Sequence, residues 1–567
     1  MSRAQRGISF SFVFGLVLLS PWAGLASAQE AAKAFILDSG APAVTSLDLT
    51  TGKTGARLAL SGKPTRLLRS PDGSRLVAFD PGPGEDKGDR GYKAAGKSVA
   101  TIIDPAALSV VGRVELGFGV WAGRRAYFSP DGSRITVLCP GYDAKNPAEA
   151  QIRELVTVDL ATGREAGRLV LEHGAFPIVP SKDGRTLPLI QGLPRGHRFP
   201  FPQSRLFMVD LAGPSVVAKL DAGTWVDLDT DGGHIYLLDP GTPDKNPQKN
   251  RNGTVQVASL DQRALAGSLD AGRGPRGLYR DEQGGQGFIP SDGPPGAPEG
   301  RLRVVRGAEL AATLNVATKP KLLKRDREVV YVVGEKAVTL VDPVALQVTG
   351  TIPLAKGNDA LVDDDDLPTE LAVSPDSKHA FILYGLHSKV VVLDLEGKRA
   401  VGSTKTGSGG KKFFGNMMGG MFGLAGWLVS GYSPWAFAGP EMLAVRPDGR
   451  FAYAINPQTK DVTIVDASTA KDVEIIGGGG YGLRILAGGA LAVVSGGKVQ
   501  IIDTEKNVKS LELELPDLAG LAVTPDGAHA VAVAKRIVVV LDGATGKEVA
   551  RLTDFVAPSD VVFGGPL

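Results

Sequence analysis

Short alternating runs of apolar residues recur along the chain, and several of them follow the same tight turn. The letters SPDGSR at 70–75 precede the run LVAF, and the same six letters return at 129–134 before ITVL. In such a turn Ser accepts hydrogen bonds, Pro presets φ, and Gly closes the reversal. Alternation of apolar and polar positions directly after a turn predicts a β-strand.

Two kinds of turn alternate through the sequence. Weaker copies of the first are SKDG at 181, DTDGG at 229, SPDS at 374, RPDG at 446 and TPDG at 524. After most of them comes a strand that ends in Asp, as in TIIDPAAL (101), VTVDLATG (156), FMVDLAG (207), TLVDPVAL (339), VVLDLEG (392), TIVDAST (463), QIIDTEK (500) and VVLDGATG (539). The Asp carboxylate can accept hydrogen bonds from the amides of its own turn. The alternation of the two turns therefore predicts that each unit forms four antiparallel strands.

Four-stranded repeats of about 40–50 residues are typical of β-propeller blades. The sequence contains about 10–11 such units, whereas a single ring usually has ~4–8 blades. We therefore predict an all-β fold, a β-propeller of four-stranded antiparallel blades in two rings or in one unusually large ring. The first unit lacks a leading strand, and SDVVFGG at 559–565 is one strand left over. We expect this terminal strand to close the first blade.

One repeat carries a resemblance to a known family. The segment MLAVRPDGRFAYAINPQTKDVTIVDASTAKDVEIIGGG at 442–479 resembles the YVTN-type β-propeller repeat, a relative of the WD40-like and quinoprotein amine dehydrogenase-like propellers. YAIN at 453–456 occupies the place of the namesake tetrapeptide. The resemblance implies a propeller. The family includes surface-layer and periplasmic binding or scaffold proteins, with lactonases and cytochrome-bearing reductases as more distant relatives.

The first 28 residues have the pattern of a cleavable signal peptide. Arg3 and Arg6 precede an apolar run at 8–19, and LASA at 25–28 supplies the small residues of a cleavage site after Ala28. The apolar run is too short for a bilayer core of ~30 Å. The sequence therefore predicts a periplasmic or secreted protein.

Charge and cysteine content exclude two classes of protein. The chain has 63 Lys and Arg against 61 Asp and Glu, and removal of Arg3 and Arg6 with the signal makes the two sums equal. Without a basic surplus we predict no nucleic-acid partner. The single cysteine, Cys139, excludes an internal disulfide framework.

The predicted propeller is asymmetric, with a first half at 29–317 that carries long loops and a second half at 318–567. Five loops rich in Pro, Gly and charge lie between the second and third strands of successive units, at 81–97, 140–154, 192–204, 240–253 and 290–300, whereas their counterparts at 384–389 and 456–461 are tight. We expect all five on one face. They indicate either tolerated insertions in exposed loops or a recognition surface, for which the candidate ligand-face residues are Tyr142, Arg195, His197, Arg198 and Phe199.

A second candidate site is the segment 413–440, here called the insert. Its 28 residues carry no charge, and they include three of the six Met and two of the five Trp. The insert could cap a propeller face or close its channel. It could instead contact a membrane surface or dock into an envelope protein through adaptable side chains; the candidate residues are Met417, Met418, Met421, Phe422, Trp427 and Trp435.

The remaining motifs favour structural roles. GYKAAGKS at 91–98 fits the GxxxxGKS phosphate-loop pattern, and GGGGYG at 477–482 fits GxGxxG, but neither is followed by a helix pattern. We therefore predict no nucleotide and no cofactor. The six His show no metal-ligand spacing. The acidic run of Asp363, Asp364, Asp365 and Asp366 is a weak calcium candidate that lacks the spacing of a calcium loop, so a solvated loop is favoured.

Two functional hypotheses remain. The first is an exported, non-enzymatic propeller that binds or scaffolds a partner at the periplasm or cell envelope. The alternative is a lactonase-like hydrolase or a periplasmic dehydrogenase-type subunit, whose residues would converge on the central face from different blades. Such a catalytic site would be invisible to local motifs, and the sequence identifies no catalytic residue.

Overall fold

The computed structural model describes residues 33–564, apart from 87–91, 119, 121–125, 141–151, 179, 192–200, 226, 240, 242–251, 282–284, 295, 364–365, 385–387, 408–441, 457–458, 479–481 and 496. Within this part of the chain all regular secondary structure is β-strand. The strands form eleven four-stranded antiparallel blades and two small hairpins.

Blades 1–4 and one small hairpin contain the first sixteen strands. These are β1 Lys33–Asp38, β2 Ala43–Asp48, β3 Thr54–Ala59, β4 Arg66–Arg69, β5 Leu76–Asp80, β6 Gly84–Asp86, β7 Tyr92–Ala94, β8 Lys97–Asp104, β9 Ser109–Phe118, β10 Ala126–Phe128, β11 Arg134–Cys139, β12 Ile152–Asp159, β13 Arg164–Pro177, β14 Thr186–Gln191, β15 Phe201–Asp210 and β16 Ser215–Trp225. The long β13 is the fourth strand of blade 3 and then pairs with β14 of blade 4. The hairpin β6–β7 stands apart from the blades.

Blades 5–8 follow the same order. Their strands are β17 Asp227–Thr230, β18 His234–Asp239, β19 Gly253–Ser259, β20 Ala264–Gly272, β21 Tyr279–Asp281, β22 Gln286–Ser291, β23 Gly300–Arg306, β24 Glu309–Val316, β25 Leu322–Asp326, β26 Val329–Val333, β27 Ala337–Asp342, β28 Gln347–Pro353, β31 Glu370–Val373, β32 His379–Tyr384, β33 Lys389–Asp394 and β34 Arg399–Lys405. A second hairpin, β29 Ala355–Lys356 with β30 Asp359–Ala360, lies between blades 7 and 8.

Blades 9–11 complete the series, and the last strand returns to the first blade. The strands are β35 Leu443–Val445, β36 Phe451–Asn456, β37 Asp461–Asp466, β38 Asp472–Gly477, β39 Gly482–Ile485, β40 Leu491–Ser495, β41 Lys498–Asp503, β42 Val508–Glu514, β43 Leu518–Val523, β44 His529–Ala534, β45 Ile537–Asp542, β46 Glu548–Leu552 and β47 Pro558–Phe563. Blade 1 has the order β3-β2-β1-β47. The predicted closure of the first blade by the terminal strand is confirmed.

The blades form one ring. Eleven clusters of buried apolar side chains each lie between two consecutive blades; one joins blades 6 and 7 through Val304 and Val332. The cluster that contains Ile36 and Val561 of blade 1 also contains Val531 and Val540 of blade 11, so the circle closes. Each blade thus buries both faces against its neighbours. The predicted fold class is confirmed, and of the two ring arrangements the structure has the single large ring.

Position within a blade decides how deeply a strand is buried. The two middle strands are almost fully buried, as in β1 and β45, whereas the fourth strand is mostly exposed, as in β3 and β46. The fourth strand therefore forms the outer rim, and the first strand faces the axis. This order explains why the middle strands read as continuous apolar runs in the sequence.

Because the strands alternate in direction, the connections divide between two faces. The turns from first to second strand and from third to fourth strand share one face, which we call the turn face. The loops from second to third strand and the links between blades share the other, which we call the loop face. Equivalent connections of successive blades lie on the same face because all blades have the same strand order.

On the turn face the SPDG turns pack on one another around the ring. Ser70 Oγ accepts the Arg75 N–H at 2.9 Å, and Asp72 accepts the Ser74 N–H at 3.1 Å. Gly132 has a φ of 68°, and there is no room for a side chain at this position. A Cβ there would lie 2.8 Å from the Asp72 carboxyl carbon of the preceding blade. The repeated Gly is thus required by its φ and by the neighbouring turn.

The second turn on this face has its own signature. Asp159 accepts the Thr162 N–H at 2.8 Å, and Gly163 adopts a φ of 64° four positions after the Asp. In all eleven blades the pairing of third and fourth strands then shifts by one residue, as between Thr157 and Val158. These bulges increase the local twist. The recurrent Asp therefore has a structural role.

Candidate functional site

The loop face is the candidate functional site, because the chain segments that break the repeat all leave from it. The five long loops connect second to third strands in blades 2–6, from β5–β8 to β22–β23. The insert lies between the end of β34 in blade 8 and the start of β35 in blade 9, which is also a connection on this face. The two faces therefore differ, with short recurrent turns on one and the connections that contain the long loops and the insert on the other.

Most of the sequence-predicted site residues fall in parts of the chain outside the description. These are Tyr142, Arg195, His197, Arg198 and Phe199 of the long loops, Asp364 and Asp365 of the acidic run, and Met417, Met418, Met421, Phe422, Trp427 and Trp435 of the insert. Their roles stay predictions. What the structure provides is the geometry of the strands and side chains from which these segments leave.

The beginning of the segment that contains the insert is held by a buried clamp between blades 8 and 9. Thr406 N–H donates to the Ser388 carbonyl at 2.6 Å, and Gly407 N–H donates to Thr463 Oγ1 at 2.9 Å. Asn456 Nδ2 donates to the Thr406 carbonyl at 3.0 Å and to Ser388 Oγ at 3.1 Å. The chain is thus fixed on both blades immediately before it departs.

The end of the same segment is held at the inner edge of the ring. Met442 N–H donates to Glu370 Oε2 at 3.1 Å, and its carbonyl accepts the Ile455 N–H at 2.8 Å. Glu370 belongs to β31, the innermost strand of blade 8, and Ile455 to the second strand of blade 9. Both ends of the segment 408–441 are therefore anchored at one blade junction.

Sequence reasoning did not identify this clamp. Asn456 is the last residue of the YAIN tetrapeptide, where it was noted as a family signature and not as a hydrogen-bonding group. Its side chain is 4 % exposed and lies between two blades. The sequence does show an Asn at the end of a buried strand, and a buried side-chain amide requires hydrogen-bond partners.

The acidic run contributes a buried ion pair. Asp366, 1 % exposed, accepts Lys389 Nζ at 2.9 Å, and its backbone carbonyl accepts Lys321 Nζ at 2.8 Å. Asp363 lies 3.9 Å from the same Lys389 ammonium, with its carboxylate largely exposed. The ammonium of Lys389 occupies the position at which a cation would meet these two carboxylates.

The phosphate-loop match has a different local structure from the motif. Lys97 and Ser98 begin β8, so a strand follows the glycine-rich stretch where a phosphate site requires a helix. Lys97 Nζ pairs with Glu115 at 2.6 Å, and the buried Ser98 Oγ donates to the Pro81 carbonyl at 3.0 Å. Both side chains are engaged within blade 2.

A groove of about 600 Å³ lies between blades 9 and 10. Glu512 at its side accepts hydrogen bonds from Lys509, Gln500 and Lys498, which lower the pKa of this carboxyl to about 2. Gln500 also donates to the Gly477 carbonyl at 3.1 Å and so ties the two blades together. The polar side chains of the groove thus bond mainly to one another.

Perturbed carboxyl groups occur mainly at the turns. Hydrogen bonds from Ser129 and Ser133 lower the pKa of Asp131 to about 2. Asp231 is half-buried, which opposes ionisation, but donors that include the Tyr236 hydroxyl and two backbone amides hold its pKa below the usual value. Its Oδ2 also lies 3.1 Å from His234 Nδ1. These groups serve turn geometry on the face opposite the long loops.

Three further observations concern chemistry that the sequence left open. Burial raises the pKa of the Cys139 thiol to about 12, so this residue is an inert part of the core. Across the described ranges no three His, Cys, Asp or Glu side chains lie close enough together to hold a metal ion. The same ranges contain no helix long and apolar enough to cross a membrane.

Comparison with known proteins gives no family for this chain. No protein-family model matches it, and no curated protein sequence matches it. Among solved structures it is similar to the dihydro-heme d1 dehydrogenase NirN in complex with DHE, at 13% identity over 96% of this chain and 78% of that one, with a TM-score of 0.33.

Two other solved structures show comparable similarity. One is apo AztD from Citrobacter koseri, at 12% identity over 79% of this chain and 95% of that one, with a TM-score of 0.29. The other is hydrazine synthase from Kuenenia stuttgartiensis, at 16% identity over 72% and 96% of the two chains, with a TM-score of 0.25. The assignment of this chain as a β-propeller rests on its own sheet order and on its closed ring of core clusters.

Proposed function

We propose that the protein is an exported β-propeller that binds or scaffolds a partner at the periplasm or cell envelope, without catalysis, through its loop face. The observation that carries the proposal is the double anchoring of the segment 408–441, by Asn456 and Thr463 at one end and Glu370 at the other. Binding residues often lie on loops that a rigid scaffold positions, and this junction would position the uncharged insert in that way.

The composition of the insert defines the class of partner. It has no charged residue and contains three Met and two Trp. Met side chains adapt to apolar surfaces, and Trp combines an apolar ring with an N–H that can bond to water at the border of such a surface. An envelope protein or the membrane surface would offer such a surface. The long loops of blades 2–6 leave the same face of the ring, which would be turned toward the partner.

Deletion of 413–440 tests this proposal. The variant keeps Thr406, Gly407 and Met442 and joins the ends with a short Gly/Ser linker, so the clamp stays intact. We expect an unchanged thermal unfolding midpoint and a shift of the protein from the envelope fraction to the soluble periplasmic fraction. The matched control replaces 242–251, a segment on the same face, and should leave fractionation unchanged.

Two outcomes of this experiment would contradict the proposal. Unchanged fractionation of a folded deletion variant would remove the insert as the contact. Loss of folding would assign the insert to the core of the ring. Export is tested separately by sequencing the N-terminus of the mature protein, which we expect to begin at Gln29; retention of the first 28 residues would refute cleavage.

A further inference from the structure

The ring is closed by a strand from the far end of the chain, and we call this junction the seam. β47 is hydrogen-bonded only to β1 within blade 1, with Leu37 opposite Asp560. Its other edge faces the axis. Val561 and Phe563 pack toward blade 11, and Val562 packs toward blade 2. The seam therefore depends on one hydrogen-bonded strand edge, on side-chain packing, and on hydrogen bonds to two aspartate side chains.

Asp560 is a buried carboxyl group in the middle of this strand. It is 2 % exposed, and its Oδ2 accepts the Leu67 N–H of blade 2 at 2.8 Å. Its Oδ1 accepts the Val561 N–H at 3.0 Å. The carboxyl group thus connects the closing strand to the innermost strand of the next blade.

Among the described residues, the one charged neighbour of Asp560 is poorly placed to bond to it. Arg66 Nε lies 3.3 Å from Asp560 Oδ2, but this Nε has no hydrogen bond of acceptable geometry. Among the described groups Arg66 alone acts on Asp560 by charge. The packed strands β1, β4 and β44 carry further titratable residues, namely Lys33, Asp38, Arg69 and His529, whereas β43 carries none. A buried charge with an unaligned partner costs free energy in the closed state.

A second carboxyl group at the seam behaves in the opposite way. Asp38, at the end of β1, is buried, but its carboxylate accepts N–H groups from Val556 at 3.0 Å and Ala557 at 2.9 Å. It also accepts from Gly40 and Ala41, and Arg57 lies 3.5 Å away. These donors outweigh the burial and hold the pKa of Asp38 below its usual value. Asp38 is therefore ionised in the closed state throughout the neutral and weakly acidic range.

We propose that the seam is a pH-sensitive closure, in which ionisation of Asp560 makes release of β47 from β1 easier as the pH rises from about 5 to about 7. Release exposes Asp560 to water and removes the cost of its buried charge. It also exposes the edge of β1, which is otherwise covered.

The size and sign of the effect follow from linkage. Burial raises the pKa of Asp560 from 3.8 to about 6 in the closed ring. The closed state therefore binds more protons than the open state between these values, and closure weakens as the pH rises through that window. From about pH 5 to about pH 7 the equilibrium constant for opening should increase about tenfold.

Hydrogen exchange of the full-length protein at these two pH values tests the proposal. After correction for the intrinsic pH dependence of exchange, amides of β1 and β47 should lose about tenfold in protection at the higher pH. Amides of β36 and β37 in blade 9 serve as the internal reference and should not change. This comparison needs no substitution.

Two variants separate Asp560 from general effects of pH. Asp560→Asn is neutral at every pH and can still accept the Leu67 N–H, so the pH dependence at the seam should disappear. Asp38→Asn is the matched control. It should lower the protection of β1 and β47 at both pH values, while the tenfold difference in protection between the two pH values remains. Equal seam protection in the wild-type protein at both pH values would overturn the proposal, and so would a difference that persists in folded Asp560→Asn.

Discussion

The two faces of the ring use the same residue types for different purposes. On the turn face, Asp131 and its equivalents accept hydrogen bonds within their own turn, and the pattern repeats from blade to blade. On the loop face, Asp38 accepts amides from the link that precedes the closing strand, as Asp80 does in blade 2, and Asp366 pairs with a neighbouring lysine. The comparison teaches that the aspartates of the turn face bond within one local turn, whereas those of the loop face bond to groups far along the chain.

The largest expected difference is between two aspartates of blade 1. Asp38→Ala on the loop face removes the buried carboxylate that accepts four N–H groups and should lower the free energy of unfolding by about 3 kcal/mol. Asp48→Ala on the turn face removes an exposed cap and should lower it by about 1 kcal/mol. Denaturant-induced unfolding of both variants measures the difference. Equal losses would mean that closure contributes no more than an ordinary turn.

Acid should weaken the turn face by protonating the aspartates that accept hydrogen bonds within its turns. The folded pKa of Asp131 is about 2, lowered by Ser129 and Ser133. Its contribution is therefore present above about pH 4 and lost as the pH falls toward about 2. We expect Asp131→Ala to lower the free energy of unfolding by about 1 kcal/mol near neutral pH, a small value because the group is exposed. Near pH 2 the substitution should have almost no effect, because protonation of the wild-type carboxyl group has then removed most of its contribution. Unfolding curves of wild type and variant should converge in acid; a constant gap would contradict the capping role.

The turn geometry predicts a stabilising substitution. Ser377 stands where the equivalent turns have Gly, and it adopts a φ of 58°. Ser377→Gly should raise the free energy of unfolding by about 0.5 kcal/mol, since relief of the left-handed strain exceeds the added entropy of the unfolded chain. The reverse change in blade 9, Gly449→Ser, should destabilise, because a Cβ would lie 2.9 Å from Ser374 Cβ. Thermal unfolding midpoints should shift in opposite directions.

The smallest effect is expected in the long loops. Replacement of 242–251 by a Gly/Ser sequence of the same length should change the free energy of unfolding by less than about 0.5 kcal/mol, as expected for a loop rich in Pro, Gly and charge. The measurement is the same thermal midpoint. A loss of several kcal/mol would show that this loop packs on the ring, and the distinction between the two faces would then fail for blade 5.

The sequence predicts the local parts of the fold but not the contacts between residues that are far apart along the chain. SPDG and Asp turns predicted about 10–11 blades, and the structure has eleven, because a turn is set by four or five neighbouring residues. For the acidic run the sequence favoured a solvated loop, with calcium as a weak candidate, whereas the structure buries Asp366 and pairs it with Lys389, 23 positions away. Glu370 and Met442, which anchor the insert, are 72 positions apart. No local pattern marks either pair.

The sequence by itself determined the blade and its two turns, because these depend on short-range backbone preferences and on alternating burial, and it indicated the return of the last strand through the strand missing from the first unit. Only the tertiary structure decided that eleven blades form one ring and that Asp38 and Asp560 lie at its seam. The Asp38 carboxylate meets amides 518 and 519 positions further along the chain. Such contacts arise from the summed curvature of all the blades, a property that no single repeat contains.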